Sequence, residues 1–331
     1  MKVMLGQGSD DFVVELSAKF PEVTFVIGGT VEEQIEQIAD ADVYFGWPAR
    51  EAFVAGEQLR WVQNPGTGID RIMQDLPELV DSDVVLTNSR GPHAPPMADH
   101  VMGMVLSLAH RMGELWEDQQ AHRWEPGPYN DTYVELAGST IGILSLGDIG
   151  MAVARRAHGF GMEVYAVDKH PRPTGPEVTS VWGLERLDKL LSMSDWFVVT
   201  APLTDETRGF IGRSALKRMK PNAILINTSR GAVVDIDALC DAVERGSLAG
   251  AALDVLPEEP PGDDARILGL GDKVILCPHM VSANAPGTLE PAIPWATDAI
   301  LAALRGEIPE HVYNVDVIPR WLERFGGKAL I

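Results

Sequence analysis

Short apolar runs and amphipathic segments alternate along this chain. Between residues 139 and 279, segments with helical spacing such as MAVARRAHGF separate the apolar runs TIGIL, EVYAV, WFVVT, AILIN, GAAL and KVILC. Nearly continuous Val, Ile and Leu are typical of strands that are buried on both faces. The alternation therefore predicts an α/β domain with a doubly wound parallel sheet.

The first hundred residues repeat this pattern more weakly. Their apolar runs are KVMLG, TFVIG, DVYFG, LRWVQ and VVLTN, with helical segments between some of them. After Pro96, the segment ADHVMGMVLSLAHRM predicts a long apolar helix that joins the two halves. The tail after Ser282 begins as helix and is expected to return to the first half. A length of 331 residues also favours two domains.

Charge and cysteine content narrow the class of partner. The formal net charge of -21 argues against nucleic acid or an anionic membrane as a partner, because both require a basic surface. Cys240 and Cys277 are far apart, so we expect neither a disulfide framework nor a metal site, and Cys277 is expected to be a buried structural thiol. The chain shows no signal-peptide core and no apolar run of bilayer length, which predicts a cytoplasmic protein.

Polar or turn residues follow most of the predicted strands of the second half. Because ligands of open parallel sheets bind beyond the carboxyl ends of the strands, these positions are the first candidates for a site. They are the Ser145 turn, Asp168, Ala201-Pro202, Thr228-Ser229-Arg230, Asp254 and His279.

The turn Ser145-Leu146-Gly147-Asp148-Ile149-Gly150 differs from the dinucleotide fingerprint G-x-G-x-x-G only at its first position. Gly147 would let the backbone approach a pyrophosphate, and Gly150 would let the helix pack on the strand. We expect Ser145 to be tolerated provided that its φ is negative. Asp168 ends the next strand, where a carboxylate binds the ribose hydroxyls of NAD, so the context predicts a nucleotide turn.

Seven further blocks follow one another along the chain: NPGTGIDRI, NSRGPHAPPMADHV, ELAGSTIGILSLGDIG, APLTDETRGFIG, INTSRGAVVD, AGAALDVLPEEP and ILCPHMVSA. In this order they resemble the D-isomer-specific 2-hydroxyacid dehydrogenase family. The resemblance implies two Rossmann-like domains and usually a homodimer. Residues 1–98 and 290–331 would form a flavodoxin-like substrate domain, and residues 99–289 a cofactor domain inserted into it.

The same resemblance implies roles for individual residues. Arg230 would bind the substrate carboxylate, His279 would be the acid/base, and Glu259 would be its carboxylate partner. A guanidinium fork suits a carboxylate, and a protonated imidazole stabilises charge that develops on a carbonyl oxygen. Taken singly, Arg230 could equally be a surface cation, Glu259 a solvated acid and His279 a strand-end cap; their order along the chain favours the catalytic interpretation. We expect the remaining histidines to be structural or exposed, with His100 a satisfied helix histidine.

The cofactor and substrate sites follow from the same likeness. Asp148 and Ile149 would offer amides to the pyrophosphate, Asp168 would hold the ribose, and Asp254 would lie near the nicotinamide carboxamide. The full set expected to bind NAD is Thr67, Ser145, Gly147, Asp148, Ile149, Gly150, Asp168, Ala201, Pro202, Thr207, Thr228, Ser229, Arg230, Asp254, His279 and Ser282. The set expected to bind the substrate is Trp47, Asn64, Pro65, Gly66, Arg230 and His279.

Departures from the family pattern limit the substrate. The phosphoglycerate-oxidising branch carries arginines near Gly46-Trp47 and Asn64, which disfavours a phosphorylated substrate here. Trp47 is compatible with a small, partly apolar pocket, and equally with a core or interface position. Glu259 argues against the formate-oxidising branch, which uses glutamine there. A reductase of small 2-keto acids such as glyoxylate or hydroxypyruvate and a dinucleotide-sensing regulatory protein both remain open, because a corepressor branch shares these residues.

Overall fold

The computed structural model describes residues 1–6, 10–88, 91, 93–281, 307–308 and 312–325. The chain divides into two compact units. The first comprises Met1–His93 and Asn284–Ile331, and the second comprises Ala94–Ala283. Each unit has its own parallel sheet and its own apolar cores.

The strands occur in the two halves of the chain that the apolar runs predict. In the first unit they are β1 (Lys2–Leu5), β2 (Thr24–Ile27), β3 (Val43–Phe45), β4 (Trp61–Asn64) and β5 (Val85–Asn88). In the second they are β6 (Thr140–Leu144), β7 (Glu163–Val167), β8 (Ser180–Trp182), β9 (Trp196–Val199), β10 (Ile224–Asn227), β11 (Gly250–Leu253) and β12 (Val274–Leu276).

The helices alternate with the strands. They are α1 (Asp10–Lys19), α2 (Val31–Ile38), α3 (Arg50–Ala55), α4 (Asp70–Asp75), α5 (Glu78–Asp81), α6 (Ala94–Ala109), α7 (Met112–Gln120), α8 (Asp148–Gly159), α9 (Leu187–Met193), α10 (Arg213–Leu216), α11 (Ile236–Glu244) and α12 (Ile318–Phe325). Among the described residues, none of these helices combines the length and apolar character needed to cross a bilayer.

Strand order identifies both sheets as doubly wound, as the sequence predicts. Over the described residues the first sheet has the order β2-β1-β3-β4-β5, which is the flavodoxin-like order. The second has the order β12-β11-β10-β9-β6-β7-β8 and is parallel throughout, which is the Rossmann order extended by one strand.

Alternate residues of the second sheet point into two separate cores. Ile141 and Val198 pack with α6 and α8 on one face, whereas Phe197 and Leu225 pack with α9 and α11 on the other. Burial on both faces is the physical reason for the continuous apolar runs in the sequence.

Some element bounds differ from the sequence prediction. α6 begins at Ala94, before the predicted start after Pro96. The first turn of a helix tolerates proline, because the amide hydrogen that proline lacks would have no partner within the helix there. β8 was not predicted, since it has three half-buried residues after a proline-rich stretch. α10 is a single helical turn.

The described part of the C-terminal segment packs on the sheet of the first unit. Val312 forms an antiparallel bridge with Thr87, and Asn314 accepts from Leu86 N and donates to Val84 O. Farther along, the buried indole of Trp321 donates from Nε1 to Arg60 O at 3.0 Å.

Trp321→Ala is expected to destabilise the first unit by about 3–5 kcal/mol, because it empties a core position and removes one of the two donors to the Arg60 carbonyl. The matched control is Leu322→Ala on the same helix, where the side chain is exposed and the change should be within about 0.5 kcal/mol. Urea unfolding followed by circular dichroism measures both variants. Equal shifts of their transitions would contradict the packing of α12 described above.

Candidate active site

Parallel pairing continues past the ends of the strands in the second unit and brings the predicted loop residues to one edge of the sheet. Ser145 N donates to Val167 O, and Thr200 N donates to Leu144 O. Asp254 N donates to Asn227 O, and His279 N donates in turn to Asp254 O at 2.9 Å. The chemistry-bearing residues after β6, β7, β9, β10, β11 and β12 therefore share that edge, as the strand pattern predicts.

The two glycines of the turn have the properties that a nucleotide turn needs. A Cβ on Gly150 would lie 2.4 Å from Ser145 O, so only glycine lets α8 pack this closely on β6. A Cβ on Gly147 would meet no described atom within 4 Å, so the space beside this residue is open. α8 begins at Asp148, and the first amides of a helix have no partner within it.

Ser145 adopts a φ of 76°, so the expectation of a negative φ is wrong. The turn imposes the left-handed conformation because both its backbone groups are committed. Ser145 N donates to Val167 O at 2.8 Å, and Ser145 O accepts from Thr200 Oγ1 at 2.7 Å. Such a conformation costs a non-glycine residue roughly 1–2 kcal/mol, which the neighbouring hydrogen bonds offset.

The Asp168 carboxylate supports the same turn. It accepts from Leu146 N at 2.7 Å and from His170 N at 2.8 Å, and the Ser145 hydroxyl lies at 3.5 Å. Asp168 thus fixes the backbone of the glycine turn and of the loop that follows β7.

Farther along the edge, the loop after β9 is closed on itself. Thr207 Oγ1 donates to Pro202 O at 2.6 Å, and Lys169 Nζ pairs with Glu206 at 2.6 Å. The first contact lies within the loop that carries the predicted cofactor residues after β9, and the second joins that loop to the one that follows Asp168. Ala201 itself is buried at the end of the strand.

His279 and Glu259 form the pair that the resemblance implies. His279 Nδ1 lies 2.7 Å from Glu259 Oε2, and Glu259 Oε1 accepts from Leu256 N at 2.8 Å. His279 has a φ of 50°, and its amide is fixed by Asp254 O. The carboxylate is therefore oriented by the backbone and orients the imidazole in turn.

Arg230 lies on a loop that packs directly against the loop carrying Glu259. A Cβ on Gly231 would fall 1.9 Å from the carbonyl carbon of Leu256, so the missing side chain permits this approach. The guanidinium of Arg230 donates from Nη1 to Ser229 O at 2.8 Å. Arg230, Glu259 and His279 are thus on adjacent loops of one unit.

Asn227 shapes the Arg230 loop and was missed as a site residue. It is buried, it donates from Nδ2 to Arg230 O at 3.0 Å, and it accepts from Ser229 N and Ser229 Oγ. Thr228 is buried beside it. The available signal was a polar residue closing an apolar strand two positions before the predicted cofactor residue Ser229.

Asp254 is almost fully buried below His279. Burial raises the pKa of its carboxyl, and the neighbouring His100 opposes that rise. His100 Nε2 lies 3.6 Å from Asp254 Oδ1, which is too long for a hydrogen bond. The expectation that His100 is a satisfied helix histidine is wrong, because this buried nitrogen has no hydrogen-bond partner among the described residues.

In the first unit, the predicted substrate loop is held by two asparagine side chains, which end β4 and β5. Asn64 Oδ1 accepts from Gly66 N at 3.0 Å, and Asn88 Nδ2 donates to Thr67 O at 2.6 Å. A Cβ on Gly66 would lie 3.6 Å from the Trp47 ring, so Trp47 borders this loop and remains partly exposed.

His93 also holds this loop, with its Nε2 lying 2.9 Å from Pro65 O. The sequence predicts a structural or exposed residue there and gives no signal for the contact. The predicted cofactor residue Ser282 lies outside the described residues.

The arrangement fits a dinucleotide. The open glycine turn, the free first turn of α8 and the Asp168 carboxylate match the three parts of such a site. Residues 102–281 match the family described as D-isomer specific 2-hydroxyacid dehydrogenase, NAD binding domain. The chain belongs to the D-isomer-specific 2-hydroxyacid dehydrogenase family, and its cofactor is a nicotinamide dinucleotide.

Similar proteins cover most of the chain. D-3-phosphoglycerate dehydrogenase of Methanocaldococcus jannaschii is 30% identical over 97% of this chain, which spans 60% of that protein's length. Glyoxylate/hydroxypyruvate reductase B of Pectobacterium carotovorum is 38% identical over 79% of this chain and 81% of its own length. A family member from Xanthobacter autotrophicus, solved with NADPH and MES, superposes with a TM-score of 0.79 at 28% identity, covering 96% of this chain and 99% of that one.

Ser145→Gly is expected to keep both the fold and NADH binding, because glycine adopts the observed φ without strain. Ser145→Val should weaken NADH binding and destabilise the protein by about 1–3 kcal/mol, since a β-branched residue is poorly tolerated there. Ser145→Ala is the control that removes only the hydroxyl. Fluorescence titration with NADH and thermal melting test the series; normal binding by the valine variant would contradict this placement of the turn.

Proposed function

We propose that the protein is an NAD(H)-dependent oxidoreductase that interconverts a small 2-keto acid and its D-2-hydroxy acid. The observation that carries the proposal is the 2.7 Å contact between His279 and Glu259, whose loop packs against the loop of Arg230. A cation for a carboxylate and an oriented proton donor are what reduction of a keto acid requires. The name of the Pectobacterium relative supports glyoxylate or hydroxypyruvate as the first substrates to test.

Arg230 binds the substrate carboxylate through two parallel hydrogen bonds and so fixes the orientation of the adjacent carbonyl. When bound, the reduced nicotinamide supplies the hydride to that carbonyl carbon. His279 donates a proton from Nε2 to the carbonyl oxygen as negative charge develops there. Glu259 accepts a hydrogen bond from Nδ1, which holds the ring in the required orientation.

For the first unit taken by itself, Trp47 and the loop Asn64-Pro65-Gly66 stay predicted substrate-binding residues, the loop through its backbone amides. Asn64 and Asn88 preserve the shape of the loop through the contacts described above. No arginine is present at Gly46-Trp47 or at Asn64, which favours an unphosphorylated substrate.

A panel of 2-keto acids tests the proposal, with NADH oxidation followed by absorbance at steady state. Glyoxylate, hydroxypyruvate, pyruvate and longer homologues are compared with 3-phosphohydroxypyruvate. Turnover of at least one unphosphorylated acid with formation of the D-hydroxy acid is expected. Binding of NADH without turnover of any keto acid would instead favour the dinucleotide-sensing alternative.

We also propose that the protein is a homodimer. Apolar side chains are exposed along one stretch of the second unit, where Trp124 is 96% exposed; they are Met112, Leu115, Trp116, Trp124, Tyr133 and Val134. A second copy of the chain is the partner that the family resemblance implies. Light scattering after size exclusion tests this, and a monomer at micromolar concentration would refute it.

Two free cysteines are compatible with the proposed cytoplasmic location.

NADH is expected to be preferred over NADPH, because the Asp168 carboxylate repels a 2′-phosphate and accepts ribose hydroxyls. Lys169 pairs with Glu206, so its charge is already partly neutralised, although His170 and Arg172 stay close in the chain. The measurement is kcat/KM with each cofactor. Equal values would contradict the assignment; Lys169→Ala is the control that should leave the preference unchanged.

Arg230→Ala should raise KM for the keto acid and lower kcat, with a loss in transition-state binding on the order of 3 kcal/mol or more. The affinity for NADH should change much less. Arg245→Ala is the matched control, because Arg245 is an exposed arginine at the end of α11. An Arg230→Ala variant with an unchanged KM would refute the role.

The direction of the pH dependence follows from the proton that reduction consumes. Reduction needs protonated His279 and should fall as pH rises, whereas hydroxy-acid oxidation should rise over the same range. Glu259→Gln replaces the carboxylate that holds His279 Nδ1 with a neutral amide, so kcat/KM for reduction should fall. Profiles of kcat/KM against pH for Glu259→Gln, for the control Glu258→Gln and for the unaltered protein test this. An unchanged profile in Glu259→Gln would show that Glu259 is not the partner of His279.

A further inference from the structure

Three potential metal ligands from distant parts of the sequence meet below the sheet edge. They are His100 in α6, Asp254 after β11 and Cys277 after β12. One ligand atom of each lies within 4.8 Å of the others. All three residues belong to the second unit, and Cys277 packs against its apolar core.

The hydrogen bonds of this cluster are incomplete. Asp254 is 1% exposed, and its Oδ1 accepts only a long bond of 3.3 Å from Met280 N among the contacts described. The buried Nε2 of His100 has no hydrogen-bond partner in the described part of the chain. Buried polar atoms without partners are rare and require a physical explanation.

The distance between His100 Nε2 and Asp254 Oδ1 matches that between two ligands of one metal ion better than that of a hydrogen bond. Two oxygen or nitrogen ligands about 2.0–2.1 Å from a tetrahedral zinc ion lie roughly 3.4 Å apart. The observed separation of His100 Nε2 and Asp254 Oδ1 is 3.6 Å. The Cys277 sulfur lies within 4.8 Å of both atoms, whereas a sulfur and a nitrogen or oxygen bound to one zinc ion lie roughly 3.6 Å apart.

We propose that His100, Asp254 and Cys277 bind a zinc ion when the cofactor is absent, and that the bound ion prevents the nicotinamide from binding. An imidazole, a thiolate and a carboxylate form a typical ligand set for zinc, and a water molecule completes the tetrahedron. Magnesium and calcium are disfavoured because both require oxygen ligands.

Coordination also compensates for the burial of two ionisable groups. Burial raises the pKa of the Cys277 thiol, and the nearby Asp254 carboxylate contributes to the rise. On binding, the zinc–sulfur bond forms as the S–H bond breaks and its proton passes to solvent, so no oxidant or reductant is needed. The competition with nicotinamide rests on the role proposed above for Asp254, whereas metal binding itself does not.

Cobalt titration of the untagged protein without cofactor tests the metal site. Binding of Co²⁺ to a thiolate produces a sulfur-to-metal charge-transfer band that carboxylate sites on this acidic surface cannot give. We expect one equivalent with this band, displaced by Zn²⁺. The band should be lost in Cys277→Ser and should move and weaken in His100→Gln.

Cys240→Ser is the matched control, because Cys240 is buried in α11 away from the cluster. It should retain the band with one equivalent. A titration without the band, or a band that persists in Cys277→Ser, would overturn the proposal. Thermal melting verifies that both serine variants fold.

Competition is measured separately by NADH fluorescence. Zn²⁺ should raise the apparent Kd for NADH in the unaltered protein and in Cys240→Ser, but not in Cys277→Ser. Simultaneous binding of zinc and NADH without mutual effect would overturn the exclusion of nicotinamide. If no variant binds NADH, the proposed function fails, while the cobalt band still decides the metal site.

Discussion

Parallel pairing of β10, β11 and β12 is the constraint on which the candidate site depends. Parallel strands all leave the sheet at the same edge, so the loops after them are neighbours whatever their separation in sequence. Hydrogen bonds beyond the strands extend this order, with Asp254 bound to Asn227 and His279 bound to Asp254. The position of His279, the proposed acid/base residue, is therefore set by backbone hydrogen bonds and not by any single side chain.

Small residues determine how closely the loops approach each other. Gly150 lets the first turn of α8 lie against Ser145, and Gly231 lets the Arg230 loop lie against Leu256. Side chains then hold the shapes that these contacts allow, as Asn227 does for Arg230 and Asp168 does for the glycine turn. Glycine permits the close approach of two loops, and side-chain hydrogen bonds then hold the shape of each loop. Both are needed, because a loop held only by side chains would not be this close to its neighbour.

One carboxylate links the two proposals made for this protein. Asp254 fixes the backbone of His279, is the residue predicted to lie near the nicotinamide, and faces His100 and Cys277. Burial removes the water molecules that would solvate a carboxylate. With few donors nearby, the carboxylate therefore attracts either an amide N–H group, which donates a hydrogen bond, or a cation. Catalysis and inhibition by zinc would then depend on the same side chain.

The sequence by itself determined the fold class, the order of the strands along the chain and most of the candidate site. Buried strands require continuous apolar runs, and residues such as Asp168, Arg230 and His279 follow them directly. Only the tertiary structure decided the positive φ of Ser145, the role of Asn227 and the unpartnered nitrogen of His100. Each of these depends on contacts with residues that are distant in sequence, on which local patterns carry no information. The spacing of the two cysteines in the sequence argues against a metal site. His100, Asp254 and Cys277 meet only when three separate elements pack together, so the sequence gives no sign of this cluster.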